Sequence, residues 1–545
     1  MIQIFIFYLV SSIIFTYPLL FKLGEFLPGQ PNDAYVYLWN IWGFWHQVSA
    51  SASIFYSNYV MYPIGANLFF HTYAPLVSIF AFPMLKNLSL FMGLAIMFAV
   101  TLSSLSSYLL CFKISTKKYA ALIGGLIYGV SPIIHSFIQS QHYYFLFSSM
   151  YYPFGIYLLI NFFESKKIKY LYFSLSLFWF VLFTDYYSAV LYSILILIFF
   201  ILNTKFGIKE LSKYISAGLV TLILPFLFLY NVENNFRNFI QHKQPSNSSS
   251  TCNTRLLGFI TPSISNPFFK TNQKINLDTP SYFIGWGILV IAMLSAYKYR
   301  KIKIINSFSI IFVIFFLLSL GTNDKFNTPF YYFLKLPVLG SIDCPIRFPI
   351  IMQLCISVFV TFFIENKKKH IRTALAIFII LLVEYSVTNN DFSSTSIPSI
   401  YNEIKIDENK KSVLEIPSGI TESKGAFGYD WSIQALHSQQ MYWQTSYNKP
   451  RVGVYMSRLT PDKYNFYKNE PVISEIFNFS SAGGIAPKFD LDEESIEKFI
   501  EKFNLGYIVL SPNIRQEQFS IFIEMEFKKQ IKEKIILEGF VLYKI

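Results

Sequence analysis

Charged residues are scarce in this sequence: they make up 14% of its 545 residues, whereas soluble proteins average about a quarter. Hydrophobic residues account for 53% and aromatic residues for 19%. A soluble fold cannot bury that much apolar surface. Apolar runs of about 20 residues, the length that crosses a bilayer, recur from residue 2 to residue 388. The sequence therefore predicts an α-helical polytopic membrane protein.

Cysteine and histidine are also scarce, with four and seven residues. Cys111 and Cys355 lie in apolar runs, and no cluster has metal-ligand spacing, so no cofactor is evident and a divalent metal is left open. A disulfide between Cys252 and Cys344 is one alternative for the other two cysteines. The sequence lacks a Walker A loop and a Rossmann glycine fingerprint, which argues against a reaction driven by a nucleotide.

Apolar runs predict about eleven transmembrane helices. They cover residues 2–22, 88–112, 119–138, 143–163, 170–184, 186–203, 214–231, 282–297, 304–321, 346–364 and 373–388. The apolar stretch 73–85 is short and contains two prolines, which favours a re-entrant or interfacial segment. The first run lacks a basic flank and a cleavage site, so we interpret it as a retained helix and not as a signal peptide.

The basic residues predict the orientation in the membrane. They are spread over loops instead of forming one basic domain, which argues against a nucleic-acid partner despite the net charge of +13. Alternate connections carry 17 of them, in segments 113–118, 166–169, 205–213, 298–303 and 367–372. The positive-inside rule then predicts a multi-pass protein of the plasma (inner) membrane, with its N-terminus in the cytoplasm and its C-terminal domain outside.

A change in composition after Asp391 predicts two domains. Residues 1–390 form the predicted transmembrane domain, and residues 391–545 a soluble extracytoplasmic α/β domain. The long outer loops of the first domain are 23–87, 232–281 and 322–345. In the second domain, β-rich runs lie at 412–416, 451–455, 507–510 and 540–543. An amphipathic helix is predicted at 492–504, with Asp490 and Glu493 spaced as a capping box.

Polar residues cluster at the predicted outer ends of the apolar helices, where each is costly and therefore a functional candidate. Asp33 precedes an amphipathic aromatic helix that carries Trp39 and Trp42. Its role is either an N-cap or a general base. His71 binds a phosphate or simply lies at the membrane surface.

Three further features lie at the same predicted face. A hydrogen-bonding cluster lies where the third span meets the fourth, and it comprises His135, Gln139, Gln141 and His142. Asp185 interrupts a long apolar stretch, where it marks the turn between two antiparallel spans. Arg347 either pairs with Asp343 or acts as a cationic clamp for a phosphate group.

These features resemble the GT-C superfamily of integral membrane glycosyltransferases, which use polyprenyl-phosphate-linked sugars, and more closely a bacterial, uncharacterised GT-C-like subfamily. The resemblance rests on the early acid in the first outer loop and on several short elements. They are Asn32-Asp33-Ala34-Tyr35, Trp39 with Trp42, Tyr62-Pro63 followed by His71, Ser131-Pro132 leading to His142, and Arg347-Phe348-Pro349.

The resemblance implies roles for these residues. Asp33 would be the catalytic base and Asp185 a second carboxylate, while Arg347, His142 and His71 would bind the donor phosphate. Trp39, Trp42, Gln139 and Gln141 would contact the sugar and the acceptor. Asn32 stands where many GT-C enzymes have Gly or a second acid, which puts a paired-acid arrangement in doubt.

The implied activity is transfer of a hexose or pentose from a polyprenyl-phosphate donor to a glycan, lipid or protein acceptor, with the donor as substrate and membrane lipid as partner. A transporter or flippase of lipid-linked glycans is the alternative, but it predicts ionisable groups near the middle of the spans. A non-catalytic protein of envelope assembly is the third hypothesis.

Overall fold

The computed structural model divides into two compact units. It describes residues 1–69, 71–204, 218, 221, 254, 256–263, 266–269, 281–322, 328–336, 344–387, 390–409, 411–422, 425–427, 434–457, 459, 461–480, 491–512 and 515–545. The first unit, termed the helical unit, comprises residues 1–30, 89–234 and 245–393. The second, termed the sheet unit, comprises residues 31–88, 235–244 and 394–545. Much of the first long loop thus belongs to the same unit as the C-terminal region, and the predicted boundary at residue 391 stays a prediction.

Apolar helices build the helical unit. They are Ile2–Phe15, Leu88–Ser115, Lys118–Gly129, Pro132–Gln139, Tyr143–Ser148, Tyr151–Ser165, Ile168–Leu182, Tyr186–Asn203, Trp286–Lys298, Lys303–Ser319, Pro329–Leu334, Pro349–Glu365 and His370–Glu384. Ten of the predicted spans coincide with these helices. The predicted span 214–231 lies outside the described residues, apart from residues 218 and 221, so the total of eleven stays a prediction.

Length and hydropathy identify the membrane-spanning helices among the described residues. Five helical stretches, three of which join consecutive helical segments, are long and apolar enough to cross a bilayer: Leu88–Ser115, Lys118–Gln139, Tyr143–Ser165, Tyr186–Asn203 and Pro345–Glu365. Four shorter apolar helices are Ile2–Phe15, Ile168–Leu182, Trp286–Lys298 and Lys303–Ser319. The chain is an integral membrane protein with a predominantly helical fold and a C-terminal sheet region.

Small residues allow close packing of the helix Lys118–Gly129 in this unit. A Cβ atom at Gly125 would overlap the Tyr8 hydroxyl, and one at Gly129 would overlap the Ser104 side chain. The Tyr8 hydroxyl donates a hydrogen bond to the carbonyl oxygen of Leu122 at 3.1 Å. In lipid, where water cannot drive association, such close contacts and interhelical hydrogen bonds hold helices together.

The sheet unit is an α/β structure. Its strands are β5 Ser412–Ile416, β6 Ile420–Glu422, β7 Gly425–Phe427, β8 Arg451–Val452, β9 Val454–Tyr455, β10 Leu505–Leu510, β11 Glu533–Leu537 and β12 Phe540–Lys544. The main sheet has the order β11-β12-β10-β5-β8, and a smaller sheet has the order β7-β6-β9. Strand β5 pairs in parallel with both β10 and β8, whereas β12 is antiparallel to β10. The β-rich runs predicted from the sequence are confirmed.

Helices complete this unit. They are Ala34–Ser49, Pro75–Phe80, Ile400–Ile406, Gln434–Tyr447, Pro461–Lys468, Pro471–Ser480, Glu493–Phe503 and Gln516–Glu526. A short strand pair in the first loop, β2 Tyr56–Ser57 with β3 Ala66–Asn67, also belongs to this unit. Another pair, β1 Phe26–Pro28 with β4 Phe392–Ser394, belongs to the helical unit except for Ser394.

The amphipathic helix predicted at 492–504 is Glu493–Phe503, and it buries Ile496, Phe499 and Phe503. Its N-cap is Asp492, whose side chain accepts a hydrogen bond from the Ser495 backbone N–H at 3.0 Å. The predicted capping box was therefore wrong: it placed the N-cap at Asp490, two positions before the observed N-cap, and Glu493 is the first helical residue.

A buried ion pair lies inside the sheet unit. The Arg451 guanidinium is 3.1 Å from the Glu415 carboxylate, and both side chains are buried. The Tyr401 hydroxyl donates to the second Glu415 oxygen at 2.7 Å. Burial raises the pKa of Glu415 while the charge of Arg451 opposes that rise. The pair links the neighbouring strands β5 and β8, and the Arg451 guanidinium also donates to the side-chain oxygen of Gln440 in the helix Gln434–Tyr447 at 3.4 Å.

Candidate functional site

Asp33 lies immediately before the helix Ala34–Ser49 in the sheet unit. It is the N-cap residue of that helix, but its side chain makes no capping hydrogen bond to it. Instead, one carboxylate oxygen accepts a hydrogen bond from the Tyr455 hydroxyl at 2.8 Å. Tyr455 is the last residue of β9, 422 positions along the chain from Asp33. The orientation of the predicted base is thus set by the C-terminal region.

His71 lies close to the same C-terminal segment. Its ring is 2% exposed, and Nδ1 accepts a hydrogen bond from the Ser457 backbone N–H at 3.1 Å. The ring proton is therefore assigned to Nε2, which has no partner among the described residues. Burial lowers the pKa of His71 to about 3, so the ring is neutral at physiological pH. It can donate a hydrogen bond to a ligand but carries no positive charge.

Residues 455–457 thus fix both Asp33 and His71, and we call them the clamp segment. Ser457 makes a second contact to the loop, because its hydroxyl lies 2.5 Å from the Thr72 hydroxyl. Gly453, which has a positive φ of 86°, separates β8 from β9 just before this segment. Glycine adopts that conformation without the steric cost of a Cβ atom.

Trp39 and Trp42 differ in what they can offer a ligand. Trp39 is fully buried, and its indole N–H donates to the Gln444 side-chain oxygen at 2.7 Å. Trp42 is only partly buried and stacks on His46, with ring centroids 5.0 Å apart and a 22° interplanar angle. Burial lowers the pKa of His46. Trp42 therefore has an aromatic face near the surface, whereas Trp39 packs in the core of the unit.

Asp185 lies in the helical unit and caps the helix Tyr186–Asn203. One carboxylate oxygen accepts a hydrogen bond from the Ser188 backbone N–H at 2.7 Å, and the side chain is nearly buried. This explains why an acid interrupts the long apolar stretch: it satisfies an N–H that a helix start leaves unpaired. The turn predicted at Asp185 is confirmed by the geometry of the helix start.

Arg347 lies in the 3-10 turn Pro345–Arg347 and stacks on aromatic rings of the helical unit. Its guanidinium carbon is 4.6 Å from the centre of the Tyr187 ring and 5.5 Å from that of Phe145. Its Nε atom is buried without a hydrogen-bond partner in the part of the chain that the structure describes. Asp343, the alternative partner of Arg347, lies outside the described residues.

The turn that carries Arg347 is held from two sides. The Tyr187 hydroxyl donates a hydrogen bond to the carbonyl oxygen of Cys344, and Cys344 is disulfide-bonded. Cys111 and Cys355 are free and buried, and Cys252 lies outside the described residues. Tyr187 thus contacts both ends of the turn, a role that sequence reasoning missed.

His142 lies close enough to Arg347 for the two to interact electrostatically. Burial, reinforced by the charge of Arg347, lowers the pKa of His142 to about 3. Its Nδ1 lies 3.0 Å from the Ser140 hydroxyl. The charges of Asp185 and Arg347 in turn both act on Tyr152. The structure therefore brings Asp185, Arg347 and His142 into one region of the helical unit.

Gln139 and Gln141 are engaged by the segment that leads out of the last helix of this unit. The Gln139 amide donates to the Asn390 side chain at 3.1 Å and accepts from the Asp391 backbone N–H at 2.9 Å. The Gln141 amide donates to the Ser393 hydroxyl at 2.9 Å. Their roles as ligands of a sugar stay a prediction, since these contacts already occupy part of each amide.

A metal site would need several side chains of suitable type close together. Among the described residues, no group of three or more His, Cys, Asp or Glu side chains is placed to hold a metal ion.

Comparisons with known proteins bear on the fold. No protein-family model matches the sequence, and no curated protein matches it either. Among solved structures, the chain is similar to the arabinofuranosyltransferase AftD from Mycobacteria, with a TM-score of 0.51 and 12% identity. The match covers 100% of this chain and 41% of that chain, so this protein spans less than half the length of AftD.

Crystal structures of the Archaeoglobus fulgidus oligosaccharyltransferase are also similar. The apo form gives a TM-score of 0.42 at 13% identity, covering 96% of this chain and 71% of that chain. The complex with zinc and sulfate gives 0.46 at 11% identity, covering 96% and 69%. The likeness to AftD confirms the GT-C-like membrane fold predicted from the sequence. At 12% identity it establishes the fold alone.

Proposed function

We propose that this protein is a membrane glycosyltransferase that transfers a sugar from a polyprenyl-phosphate donor to an acceptor at the outer face of the membrane. The observation that carries the proposal is Arg347: a cation stacked on Tyr187 and Phe145, with a buried N–H that has no acceptor among the described residues. Such a group suits the phosphate of a lipid donor. The GT-C-like fold of the chain is consistent with this chemistry.

In the proposed reaction, the acceptor hydroxyl oxygen attacks the anomeric carbon of the sugar. The bond between that carbon and the phosphate oxygen breaks, and polyprenyl phosphate leaves with the electron pair. Asp33 takes the proton of the acceptor hydroxyl, as a carboxylate oriented by Tyr455 can do. The anomeric configuration inverts, because the attack comes from the side opposite the leaving group.

Charge develops on the leaving phosphate, and Arg347 stabilises it. The pKa values of His142 and His71, both lowered to about 3, leave these rings neutral, so their proposed part is hydrogen bonding to the donor. Asp185 holds the start of the helix that carries Tyr187, and through Tyr187 it positions Arg347. A second carboxylate role for Asp185 is the less favoured assignment, because one of its oxygens is engaged.

Transfer assays with the purified full-length protein in nanodiscs test the proposal. Radiolabelled polyprenyl-phosphate hexoses and pentoses are offered with glycan, lipid and peptide acceptors, and product formation is measured. We expect transfer by the wild type and a loss of about 100-fold or more in Asp33→Asn, since general-base catalysis contributes about 10²–10⁴-fold. Asp462→Asn, which changes an exposed acid of the same unit, is the matched control and should retain full activity.

Two results would contradict the proposal. An Asp33→Asn variant as active as the wild type would remove Asp33 as the base. No transfer from any donor, together with movement of fluorescent lipid-linked glycans between leaflets of proteoliposomes, would favour the flippase instead.

The proposed orientation has its own test. A reporter enzyme that is active only outside the cytoplasm, fused after Ile545, should be active if the five basic connections face the cytoplasm. Activity of a cytoplasmic reporter at that position would reverse the orientation.

A further inference from the structure

The first long loop carries an exposed apolar segment at residues 79–84, which we call the apolar tip. It comprises the end of the helix Pro75–Phe80 and the 3-10 turn Phe82–Met84. Ile79, Phe80 and Phe82 are 51%, 65% and 60% exposed, respectively. Three large apolar side chains within four positions make a continuous apolar surface, which soluble surfaces seldom present without a partner.

The opposite side of this short element is firmly packed. Val77 and Ser78 are buried, and the Ser78 carbonyl oxygen accepts a hydrogen bond from the Trp45 indole N–H at 2.7 Å. The Trp45 ring also contacts the Phe82 ring, with centroids 4.7 Å apart. The helix Ala34–Ser49 therefore holds the tip in place, so the apolar side chains are exposed on an ordered element.

Chain length restricts where the tip can lie. The membrane-spanning helix Leu88–Ser115 begins six residues after Phe82. Six residues span at most about 20 Å, so the tip cannot leave the neighbourhood of the membrane surface at which that helix begins. Between the two lies Lys86, an exposed cation. Aromatic and apolar side chains flanked by a basic residue are typical of segments that enter the headgroup region.

We propose that the apolar tip inserts into the lipid bilayer at the membrane surface where the helix Leu88–Ser115 begins. The partner is the bilayer itself, with Ile79, Phe80 and Phe82 among the acyl chains and Lys86 at the lipid phosphates. Because Trp45 joins the tip to the helix Ala34–Ser49, the insertion anchors one end of that helix to the membrane. This proposal does not depend on the glycosyltransferase activity.

Spin-label accessibility in the full-length protein tests it. Phe80→Cys is labelled with a nitroxide in nanodiscs of phosphatidylcholine and phosphatidylglycerol, and collisions with oxygen and with a water-soluble nickel chelate are compared. The native Cys111 and Cys355 are buried, and Cys344 is disulfide-bonded, so the unsubstituted protein gives the labelling background. Asn58→Cys, an exposed position of the same loop, is the matched control.

We expect the ratio of oxygen to nickel accessibility to be several-fold higher at position 80 than at position 58. A label at position 80 that meets the nickel chelate as readily as one at position 58 would show that the tip faces water and would overturn the proposal. A label at position 80 that meets neither reagent would show that protein covers the tip, which overturns it as well. Ile79→Cys repeats the measurement should Phe80→Cys yield no folded protein.

Discussion

Replacing Tyr455 with Phe isolates one hydrogen bond at the proposed base. The Tyr455 hydroxyl donates to the Asp33 carboxylate at 2.8 Å, and both side chains are partly exposed. A hydrogen bond to a charged group contributes about 1.5–3 kcal/mol, and solvent access at this position favours the lower end. In the variant, the ionised form of the carboxylate should therefore be about 1.5 kcal/mol less stable, which corresponds to about one pH unit.

The sign of the effect follows from the direction of the bond. The hydroxyl stabilises the carboxylate, so without it Asp33 ionises only at higher pH, and a base must be ionised to accept a proton. The acid limb of kcat/KM against pH should move up by about one unit in Tyr455→Phe. At pH values well above that limb, the variant should approach the wild-type rate.

The measurement is the pH–rate profile of sugar transfer in nanodiscs. Tyr56→Phe is the matched control, because the Tyr56 hydroxyl bonds the Ile64 carbonyl oxygen in the same unit at 2.7 Å; its profile should match the wild type. The reasoning would be refuted if Tyr455→Phe kept the wild-type profile while Asp33→Asn was inactive.

Three other substitutions test separate parts of the structure. Arg347→Lys keeps the charge but loses the planar group stacked on Tyr187, so kcat/KM for sugar transfer should fall by about 100-fold in initial-rate assays. Unchanged kinetics would show that Arg347 does not bind the phosphate. His71→Gln should make unfolding less sensitive to acid. The unfolded ring binds a proton below its ordinary pKa of 6.5, whereas burial lowers the pKa of the folded ring to about 3. The free energy of unfolding of the wild type therefore falls as the pH is lowered from 6.5 towards 3. The free energy of unfolding is measured by denaturation at pH 7 and pH 5. Below pH 6 it should change by about 1.4 kcal/mol per pH unit less in the variant than in the wild type, and an equal slope would contradict the neutral ring. Trp39→Phe removes the donor of the buried Gln444 oxygen, and the amide cannot turn to a new donor because its N–H groups are bonded to backbone carbonyl oxygens. The free energy of unfolding should therefore fall by about 1–3 kcal/mol, measured as a lower melting temperature. An unchanged melting temperature would show that the Gln444 oxygen finds another donor.

Most of the membrane helices could be predicted because the bilayer demands long apolar runs, and those runs are visible without any tertiary contact. Breaks within them were harder to predict. The predicted span 119–138 is two helices in the structure, divided at Val130 and Ser131. Ser131 caps the second helix and Pro132 opens it, a local signal that was present in the sequence.

The candidate site was only partly predictable, since its partners are distant along the chain. Asp33 was recognised as an unusual acid, but nothing near it points to Tyr455. The same holds for Gln141: its polar side chain suggested a ligand, whereas its observed partner, Ser393, lies 252 positions away. Sequence reasoning identifies side chains that need partners, and the fold decides which partners they receive.

The dependence of Asp33 on the clamp segment has a consequence for biosynthesis. At about 5–20 residues per second, the ribosome finishes the helix Ala34–Ser49 at least roughly 20 s before it makes Tyr455. During that interval the nascent chain already occupies the membrane but lacks the groups that orient its acid. Chains released before residue 455 would carry every residue of the first loop and still leave Asp33 without its Tyr455 donor, so any catalysis that needs this bond is restricted to nearly complete molecules.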